Sequence, residues 1–259
     1  MPEVGVIGIA GEVRHNKVNT TNCPHWEIAD GDALALDFNM KSFTFINDFA
    51  AAGYGVCLLQ KNHVTPLNRA DVEEGGVKVV MGPGTGLGEG ILVKSSFAKC
   101  YEVFSSEGGH VDFNVRSQED WDLRCFAENY ICNSNNIENL RGKVEKLDRV
   151  SIERLCAGPA VPLIYEFMKT KYPDLPRVLE NNDGKKPDDL TSGDIIACGM
   201  TTEDELCKKV VRKFAEIFGA EVGNMAMKVL PYGGIYLTGG VCIGIMNFLE
   251  HDHHFMHTV

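Results

Sequence analysis

The sequence predicts an α/β protein, and three observations support this prediction. A β-branched and aromatic run, Ser42–Ile46, ends at a polar pair and is followed at once by small residues typical of a helix. Two apolar runs flank a glycine-rich turn between Val77 and Val93. A helical pattern opens near Thr202 and continues towards Leu230. Strands and helices therefore share one chain, as in a sheet covered by helices.

The composition excludes two classes of partner. The chain has 259 residues, 44% hydrophobic and 24% charged, which is typical of a soluble globular protein. Its formal net charge of −11 argues against nucleic acid, because a phosphate backbone is held mainly by Lys and Arg. No run approaches the ~20 apolar residues of a membrane span, and residues 1–11 are too short and glycine-rich for a signal peptide. We expect a cytoplasmic protein.

The cysteines favour reduced thiols. There are nine, an odd number without tight spacing, which does not fit a disulfide framework. The sequence has no Cys-x-x-Cys pair, so we expect neither a structural zinc site nor any metal ligand. The histidine-rich tail His251–His257 could chelate a metal, but its composition predicts an unstructured end. Asn19-Thr20-Thr21 matches a glycosylation sequon, which we interpret as chance.

The first elements alternate between strand and helix. Val4–Ala10 is predicted to be a buried strand. Asp30 is predicted to cap a short helix, because its side chain can accept the free N–H groups of the first turn. A helix, Phe49–Gln60, is predicted directly after the Ser42–Ile46 strand, and a further short strand is predicted at Tyr101–Phe104.

The pair Asn47-Asp48 stands where that strand turns into that helix, which is where α/β folds place their chemistry. One interpretation is structural, with Asp48 as the N-cap of the helix. The functional interpretation is a substrate hydroxyl that the amide of Asn47 orients while the carboxylate of Asp48 accepts its proton.

The glycine-rich turn has glycines at positions 82, 84, 86, 88 and 90. Such residues can take positive φ and bring N–H groups close to an anion, so the turn is a candidate phosphate nest. The alternative is a plain hairpin turn with surplus glycine, although the hydroxyl of Thr85 favours a phosphate ligand. These glycines fit no Gly-x-Gly-x-x-Gly register, and both Gly-Lys pairs in the chain lack the following Ser or Thr of a Walker loop.

The segment after the Tyr101–Phe104 strand places Glu107, His110 and Asp112 within six residues. This loop can surround a polyhydroxylated ligand, or it is a polar loop with a surface histidine. The same three residues leave open a metal-dependent hydrolase. Further along, Glu153 is either a ligand-binding carboxylate or a solvated helix residue paired with Arg149 or Arg154.

Helices dominate the rest of the chain. A capping pattern at Ser117 predicts one helix, and Gly158-Pro159 predicts another with proline in its first turn. Polar connectors are expected at residues 133–145 and 172–193, and a strand closed by a glycine pair is expected at residues 233–241. The apolar positions expected in the core are Trp121, Phe126, Tyr130 and Ile131 in one helix and Leu206, Val210, Phe214, Ile217 and Phe218 in the helix that Thr202 and Glu205 open.

Five segments follow one another in a characteristic order: Phe45-Ile46-Asn47-Asp48-Phe49, Gly82-Pro83-Gly84-Thr85-Gly86-Leu87-Gly88, Glu107-Gly108-Gly109-His110-Val111-Asp112-Phe113, Glu153-Arg154-Leu155-Cys156-Ala157-Gly158-Pro159 and Gly234-Ile235-Tyr236-Leu237-Thr238-Gly239-Gly240. In this order and spacing the chain resembles the bacterial-type glucokinase family. The resemblance spans nearly the whole chain. The closely spaced cysteines of the related repressor and sugar-kinase group are absent, which favours the glucokinase branch.

The resemblance implies a hexokinase/actin-like (ribonuclease H-like) α/β fold with two domains around a cleft. Residues 1–58 would be the remainder of the small domain, and residues 59–259 the large domain. The implied reaction is transfer of the γ-phosphoryl group of ATP to the 6-hydroxyl of glucose, with Mg²⁺ as cofactor. A homodimer is compatible with the family. The implied roles are general base for Asp48, glucose binding for Asn47, Glu107, His110 and Glu153, phosphate binding for Gly84, Thr85 and Gly86, and a place beside the adenosine for Gly239 and Gly240.

The chain also departs from the family pattern. Members begin with a strand and turn of the type Asp-x-Gly-Gly-Thr, which is absent here, and the helices that usually follow the last glycine pair are not expected after Gly240. We therefore expect this chain to bind glucose better than it phosphorylates it. The alternative hypothesis is a truncated or non-catalytic sugar-binding module derived from a kinase.

Overall fold

The computed structural model describes residues 2–18, 29–97, 99–133, 149–179, 190–201 and 204–259. The sequon at 19–21, Thr202 and most of the 133–145 connector lie outside the described residues. The strands are β1 (Val4–Ile9), β2 (Val13–Arg14), β3 (Lys17–Val18), β4 (Ala29–Asp30), β5 (Ser42–Asn47), β6 (Lys78–Pro83), β7 (Leu87–Lys94), β8 (Tyr101–Ser106) and β9 (Ile235–Leu237). The α-helices are α1 (Gly31–Asp37), α2 (Asp48–Val56), α3 (Gln118–Asn133), α4 (Ala160–Lys171), α5 (Ser192–Thr201), α6 (Glu205–Val229), α7 (Gly240–Gly244), α8 (Met246–His251) and α9 (His253–Thr258).

The chain forms two compact units from interleaved segments. The first comprises Met1–Val80, Glu89–Ser106 and Pro231–Tyr236, and the second comprises Met81–Gly88, Glu107–Leu230 and Leu237–Val259. The division into domains at residues 58 and 59 remains a prediction. In the described part of the chain, no helix is both long and apolar enough to span a membrane.

In the first unit, β1 and β5 pair in parallel over six residues, from Val4 opposite Ser42 to Ile9 opposite Asn47. Helix α2 packs against both strands, and Gly8 of β1 allows this approach because a Cβ there would lie 3.0 Å from the Cβ of Ala51. The predicted cap of α1 is confirmed, since the side chain of Asp30 accepts the N–H groups of Asp32 and Ala33.

The prediction that the first strand is buried was wrong. In β1, Val4 is 57% exposed, Val6 59% and Ile7 45%. The described residues give this strand one neighbouring strand, β5, so its hydrogen bonds are met on one side only. An apolar sequence alone could not show how much of the strand would be covered.

The N-cap of helix α2 is not Asp48, the residue considered from the sequence. Its N-cap is Asn47, whose side chain accepts the N–H groups of Phe49 and Ala50, and Asp48 is the first helical residue. The helix ends at Val56, earlier than predicted, and a short 3₁₀ helix follows at Lys61–His63.

A four-stranded sheet has the order β8-β7-β6-β9, with β7 and β8 antiparallel. This confirms the strands predicted on both sides of the glycine-rich turn and at Tyr101. In the first unit, Val56 of α2 packs in one buried cluster with Val80 and Leu92 of this sheet. Gly53 of α2 is required for this packing, because a Cβ there would lie 2.5 Å from Val103.

The second unit is built around α6, which confirms the long helix predicted towards Leu230. Its cap is Asp204, whose side chain accepts the N–H of Cys207. The five apolar residues predicted on its core face are all buried: Leu206, Val210, Phe214, Ile217 and Phe218.

Two predictions for α3 and α4 need correction. The capping of α3 is confirmed, since the N–H of Asp120 donates to the hydroxyl of Ser117. Its buried face, however, runs through Leu123, Ala127 and Ile131, whereas Trp121 is 50% exposed and Tyr130 39%. Helix α4 begins at Ala160, so Pro159 occupies the N-cap position and not the first turn.

The histidine-rich tail is helical, which corrects the prediction of an unstructured end. The expectation that no helices follow Gly240 was also wrong, since α7, α8 and α9 lie there. Helix α9 packs against α6, where the rings of Phe255 and Phe218 are 5.9 Å apart. Two glycines of α6 make room for it, because a Cβ at Gly219 would lie 2.1 Å from the hydroxyl of Thr258 and one at Gly223 would lie 2.5 Å from the carbonyl of Val259. The predicted connector at 172–193 likewise ends early, since α5 starts at Ser192.

A buried lysine joins α6 to α3. Lys213 is 6% exposed, and its Nζ lies 2.9 Å from Glu119 Oε1, 3.1 Å from Asp120 Oδ1 and 3.1 Å from Glu216 Oε2. Burial by itself lowers the pKa of Lys213, but the hydrogen bond to Glu119 and the charges of Glu216 and Asp120 outweigh burial and raise it above its usual value. The ammonium group therefore stays charged inside the unit.

Replacing this lysine tests its contribution to stability. Lys213→Met leaves Asp120, 5% exposed, without its main cation, and the free energy of unfolding is expected to fall by about 3–5 kcal/mol. Lys208→Met, which removes a more exposed pair with Glu205 on the same helix, is the control and should cost less than about 1 kcal/mol. Urea unfolding measures both, and equal losses would contradict the prediction.

Candidate active site

The glycine-rich turn joins β6 to β7 as a tight hairpin in the second unit. The N–H of Gly84 donates to the carbonyl of Gly86 at 2.8 Å, which closes the turn. The carbonyl of Gly84 accepts the N–H of Gly158 at 2.7 Å, so the segment before α4 holds the turn in place. Thr85 is exposed at the tip, with its hydroxyl accessible to a ligand.

Positive φ is not the reason for these glycines, which corrects the expectation, and at Gly82 and Gly86 the reason is close packing. None of the five turn glycines has positive φ. A Cβ at Gly82 would lie 2.6 Å from the carbonyl oxygen of Thr238, and a Cβ at Gly86 would lie 2.4 Å from Glu153 Oε2. The turn is thus packed tightly on its own unit at Gly82 and Gly86, whereas a Cβ at Gly84 would meet nothing nearer than 4.0 Å, so there is open space at that position.

Glu153 lies in a short 3₁₀ helix, Ile152–Arg154, and is held by the hairpin. Its Oε2 accepts the N–H of Leu87 at 2.9 Å, the first residue of β7. Its other oxygen, Oε1, is 3.8 Å from His110 Nδ1. The interpretation of Glu153 as a solvated residue paired with Arg149 or Arg154 is therefore wrong, because its partners are a backbone amide and a histidine.

The loop that carries Glu107 and His110 is fixed against the same strand. Gly109 is buried, and a Cβ there would lie 2.2 Å from the carbonyl oxygen of Leu87, so only glycine lets the loop pack so closely. His110 Nε2 lies 3.5 Å from Glu107 Oε2. The structure thus brings together three of the predicted sugar-binding residues, with the imidazole between two carboxylates.

Arg149 anchors this loop from the outside, a role that the sequence did not reveal. Its guanidinium donates to the carbonyl of His110 at 2.5 Å and to Asp112 Oδ1 at 3.1 Å. Backbone hydrogen bonds reinforce the link, from Ile152 N–H to Val111 and from Phe113 N–H to Val150. The sequence does show an arginine four positions before Glu153. Its partners, the carbonyl of His110 and the carboxylate of Asp112, could not be predicted from spacing.

The hydrolase interpretation is not supported. Asp112 pairs with Arg149, and the group of potential metal ligands found among the described residues is a different one, formed by Cys198, Asp204 and Cys207. Glu107, His110 and Asp112 do not form such a group.

The predicted glycine pair 239–240 lies beside the hairpin within the second unit. The N–H of Thr238 donates to the carbonyl of Met81 at 2.9 Å. Gly239 has a φ of 95°, and a Cβ there would lie 2.6 Å from the carbonyl oxygen of Pro83. A Cβ at Gly240, in contrast, would meet nothing within 4 Å. Two segments of bare backbone therefore adjoin, with open space at Gly84 and Gly240, and this fits a phosphorylated nucleotide.

Asn47 and Asp48 belong to the first unit. Asn47 is half-buried, and besides capping α2 its side-chain amide donates to the carbonyl of Gly11 at 3.3 Å. Asp48 is exposed, and its Oδ1 accepts the N–H of Phe49 at 2.9 Å. The second carboxylate oxygen of Asp48 is available to a substrate, and the roles of both residues remain predictions.

The chemistry of these groups suits a hydroxylated substrate. Carboxylates accept hydrogen bonds from hydroxyl groups, and a neutral imidazole both donates and accepts them. Glu107, His110 and Glu153 therefore offer a set of directed partners for the hydroxyls of a sugar. Bare backbone at the hairpin and at Gly239–Gly240 offers N–H donors to phosphate oxygens.

Comparison with known proteins identifies the family. The sequence model of the Glucokinase family matches residues 1–259, the whole chain. The chain belongs to the glucokinase family. Its relatives include the glucokinase of a Nostoc species, 32% identical over 97% of this chain and 71% of its own length. The glucokinase of a Synechocystis species is 34% identical over 93% of this chain and 66% of its own length.

Solved glucokinases share the fold. A glucokinase from an Antarctic psychrotroph superposes with a TM-score of 0.72 at 24% identity, covering 98% of this chain and 69% of that one. A ROK family glucokinase from Streptomyces griseus, in complex with glucose and AMPPNP, superposes with a TM-score of 0.64 at 18% identity, covering 99% and 70%. The predicted hexokinase/actin-like α/β fold is confirmed by these similarities.

Adjacent glycines of this glucokinase-family site give a matched test of the backbone geometry. Gly239→Ala forces an L residue to a φ of 95° and places its Cβ 2.6 Å from a carbonyl oxygen, so we expect a loss of about 1–3 kcal/mol in the free energy of unfolding. Gly240→Ala has open space and should be neutral or stabilise by up to about 1 kcal/mol. Urea unfolding compares the two, and equal stabilities would refute this geometry.

Proposed function

We propose that this chain is an ATP-dependent glucokinase, which transfers the γ-phosphoryl group of ATP to the 6-hydroxyl of glucose. The observation that carries the proposal is the group formed by Glu107, His110 and Glu153, with Glu153 held by the N–H of Leu87 at the end of the glycine hairpin. In a member of the glucokinase family, this group has the chemistry of a sugar-binding site and shares a structural element with a phosphate-binding turn.

In this proposal the three side chains bind glucose hydroxyls. Glu153 is positioned by its bond to Leu87, which fixes one oxygen and leaves the other facing His110. Because the carboxylate is already ordered, little conformational entropy is lost when a hydroxyl binds to it. Asn47 is proposed to bind a glucose hydroxyl through its side-chain amide.

Asp48 is the proposed general base. A carboxylate that accepts the proton of the 6-hydroxyl as phosphoryl transfer proceeds makes the attacking oxygen more nucleophilic. The rest of catalysis in such a reaction is positioning and charge stabilisation. The exposure of Asp48 and its place directly after β5, at the start of α2, are consistent with this role.

The proposed phosphate donor is ATP, held by Gly84, Thr85, Gly86, Gly239 and Gly240. Mg²⁺ is proposed as cofactor, bound mainly by the phosphates, where it neutralises their charge. Because ATP is the donor, the proposed site of action is the cytoplasm. A homodimer remains a prediction.

The general base gives the sharpest test of this proposal. Asp48→Asn keeps the shape of the side chain but cannot accept the proton, so kcat is expected to fall by about 10² to 10⁴-fold while the glucose Kd stays within a few-fold. Asp37→Asn, at an exposed aspartate of the same unit, is the control and should leave both unchanged. A coupled assay and calorimetry measure the two quantities; near-normal turnover in the Asp48 variant would refute the role.

The same measurements on the unaltered chain separate enzyme from binding module. Glucose binding in calorimetry with turnover in the coupled assay supports the kinase. Binding without turnover supports a non-catalytic sugar-binding module. We expect the chain to bind glucose better than it phosphorylates it. The absence of both glucose binding and turnover would refute the proposed function.

Arg149 is the proposed positioning residue for the sugar loop. Arg149→Met removes the donor to the His110 carbonyl, and we expect the glucose KM to rise about 10- to 100-fold, as for the loss of a charged hydrogen bond. The KM for ATP should change little, and Arg149→Lys should restore part of the effect. An equal rise in both KM values would indicate a general structural defect and contradict this role.

A further inference from the structure

Three potential metal ligands converge in the second unit, and none of them is among the residues proposed for catalysis. Cys198 lies on α5, Asp204 caps α6, and Cys207 lies in the first turn of α6. One ligand atom of each lies within 4.8 Å of the other two. All three residues are buried, with exposed fractions of 7%, 2% and 0%.

The carboxylate of Asp204 is oriented by the start of the helix. Its Oδ1 accepts the N–H of Cys207 at 2.9 Å, and its Oδ2 lies 3.7 Å from the Sγ of Cys198. The helix cap therefore turns one carboxylate oxygen towards a thiol before any ligand is present. Preorganisation of this kind lowers the entropic cost of binding.

We propose that Cys198, Asp204 and Cys207 bind one Zn²⁺ ion. Zn²⁺ takes cysteine sulfur at about 2.3 Å and carboxylate oxygen at about 2.0–2.2 Å, usually in tetrahedral geometry. A sulfur and an oxygen bound in this way lie roughly 3.5 Å apart. The observed 3.7 Å between Cys198 and Asp204 is close to that separation, so small side-chain movements complete the site.

A cavity of about 670 Å³ is lined by residues that neighbour the two cysteines in the sequence. It is lined by Gly199 and Lys208, which follow the two cysteines in the sequence, and by residues of α8 and α9. With three protein ligands, a tetrahedral Zn²⁺ would take a water molecule as its fourth ligand. Because the three protein ligands are buried between two helices, the ion serves to hold α5 to α6.

Zinc binding must displace protons from both thiols. Burial, followed by the nearby Asp204 and Cys198, raises the pKa of the Cys207 thiol above its usual range. Zn²⁺ binds cysteine as the thiolate, so protons are released as the zinc–sulfur bonds form. Affinity is expected to fall as the pH is lowered.

The pattern Cys-x₅-Asp-x₂-Cys explains why a zinc site was not predicted from the sequence. The familiar sequence signal is a close pair of cysteines, whereas here the two thiols are nine positions apart and come from different helices. Only the packing of α5 against α6 brings them together. Gly199 permits this packing, since a Cβ there would lie 2.8 Å from the carbonyl oxygen of Cys207.

Cadmium reports directly on this site, because thiolate-bound Cd²⁺ absorbs in the ultraviolet. The reduced, chelator-treated full chain is titrated with Cd²⁺ and then with Zn²⁺. We expect one Cd²⁺ per chain with thiolate absorption, displacement by Zn²⁺, and release of protons on binding. At free Zn²⁺ a hundred times the Kd, Tm should rise by about 5 to 10 °C.

Matched variants assign the signal to these residues. Cys198→Ser with Cys207→Ser should lose the absorption and the rise in Tm, whereas Cys242→Ser, at a buried thiol outside the cluster, should keep both. Asp204→Asn retains an N-cap acceptor and so should fold, but it should bind at least tenfold more weakly. This variant keeps the test decisive if the double serine variant does not fold.

Two outcomes would overturn the proposal. One is the absence of thiolate absorption in the unaltered chain, including the case in which Cys198 and Cys207 are instead found joined by a disulfide. The other is unchanged affinity in the Asp204→Asn and double serine variants, which would place the metal elsewhere. None of these measurements depends on kinase activity, so the result stands apart from the proposed function.

Discussion

The hydrogen bond from the N–H of Leu87 to Glu153 is the contact on which the candidate site depends. It joins the first residue of a strand to a carboxylate 66 positions later in the chain. The bond holds Glu153 beside His110. The carbonyl of the same residue, Leu87, limits how closely the turn at Gly109 can pack. A single backbone position thus sets the relative places of the sugar-binding carboxylate and the loop that carries the histidine.

The glycines of this region act mainly by their size. The turn between β6 and β7 contains no positive φ, yet side chains at Gly82 and Gly86 would collide with Thr238 and Glu153. Gly239 is different, because it needs both its backbone conformation and its lack of a Cβ. Glycine enrichment in a candidate phosphate loop therefore has two separate physical causes, and only the structure distinguishes them.

The sequence predicted well the features that depend on local pattern. Helical spacing of apolar residues identified the α6 core face, and alternating strand and turn signals located β5, β6, β7 and β8. The order of five short segments predicted the family. These signals are encoded within a few residues, so no knowledge of distant neighbours was required.

Some errors concern the exact ends and caps of helices, such as Asn47 at α2 and Pro159 at α4, but the larger ones concern features set by distant neighbours. The exposure of Trp121 and Tyr130 depends on which helix face meets the unit, and the helical tail depends on Gly219 and Gly223 of α6. The partner of Glu153, the anchor at Arg149 and the convergence of the two cysteines are likewise tertiary. In each case residue type was informative, but the contact was made by a segment that sequence spacing cannot identify.

The exposed strand β1 has a practical consequence for the protein in solution. Its outward-facing Val4 and Val6 lie on a strand whose described hydrogen-bonding neighbour is β5 alone, so the other edge presents backbone donors and acceptors. Such an edge can pair with the same edge of a second molecule, and the apolar side chains favour that association. Dilute samples and early size-exclusion chromatography are therefore appropriate for handling this chain, and a charged residue at Val6 would be a direct way to improve its solubility.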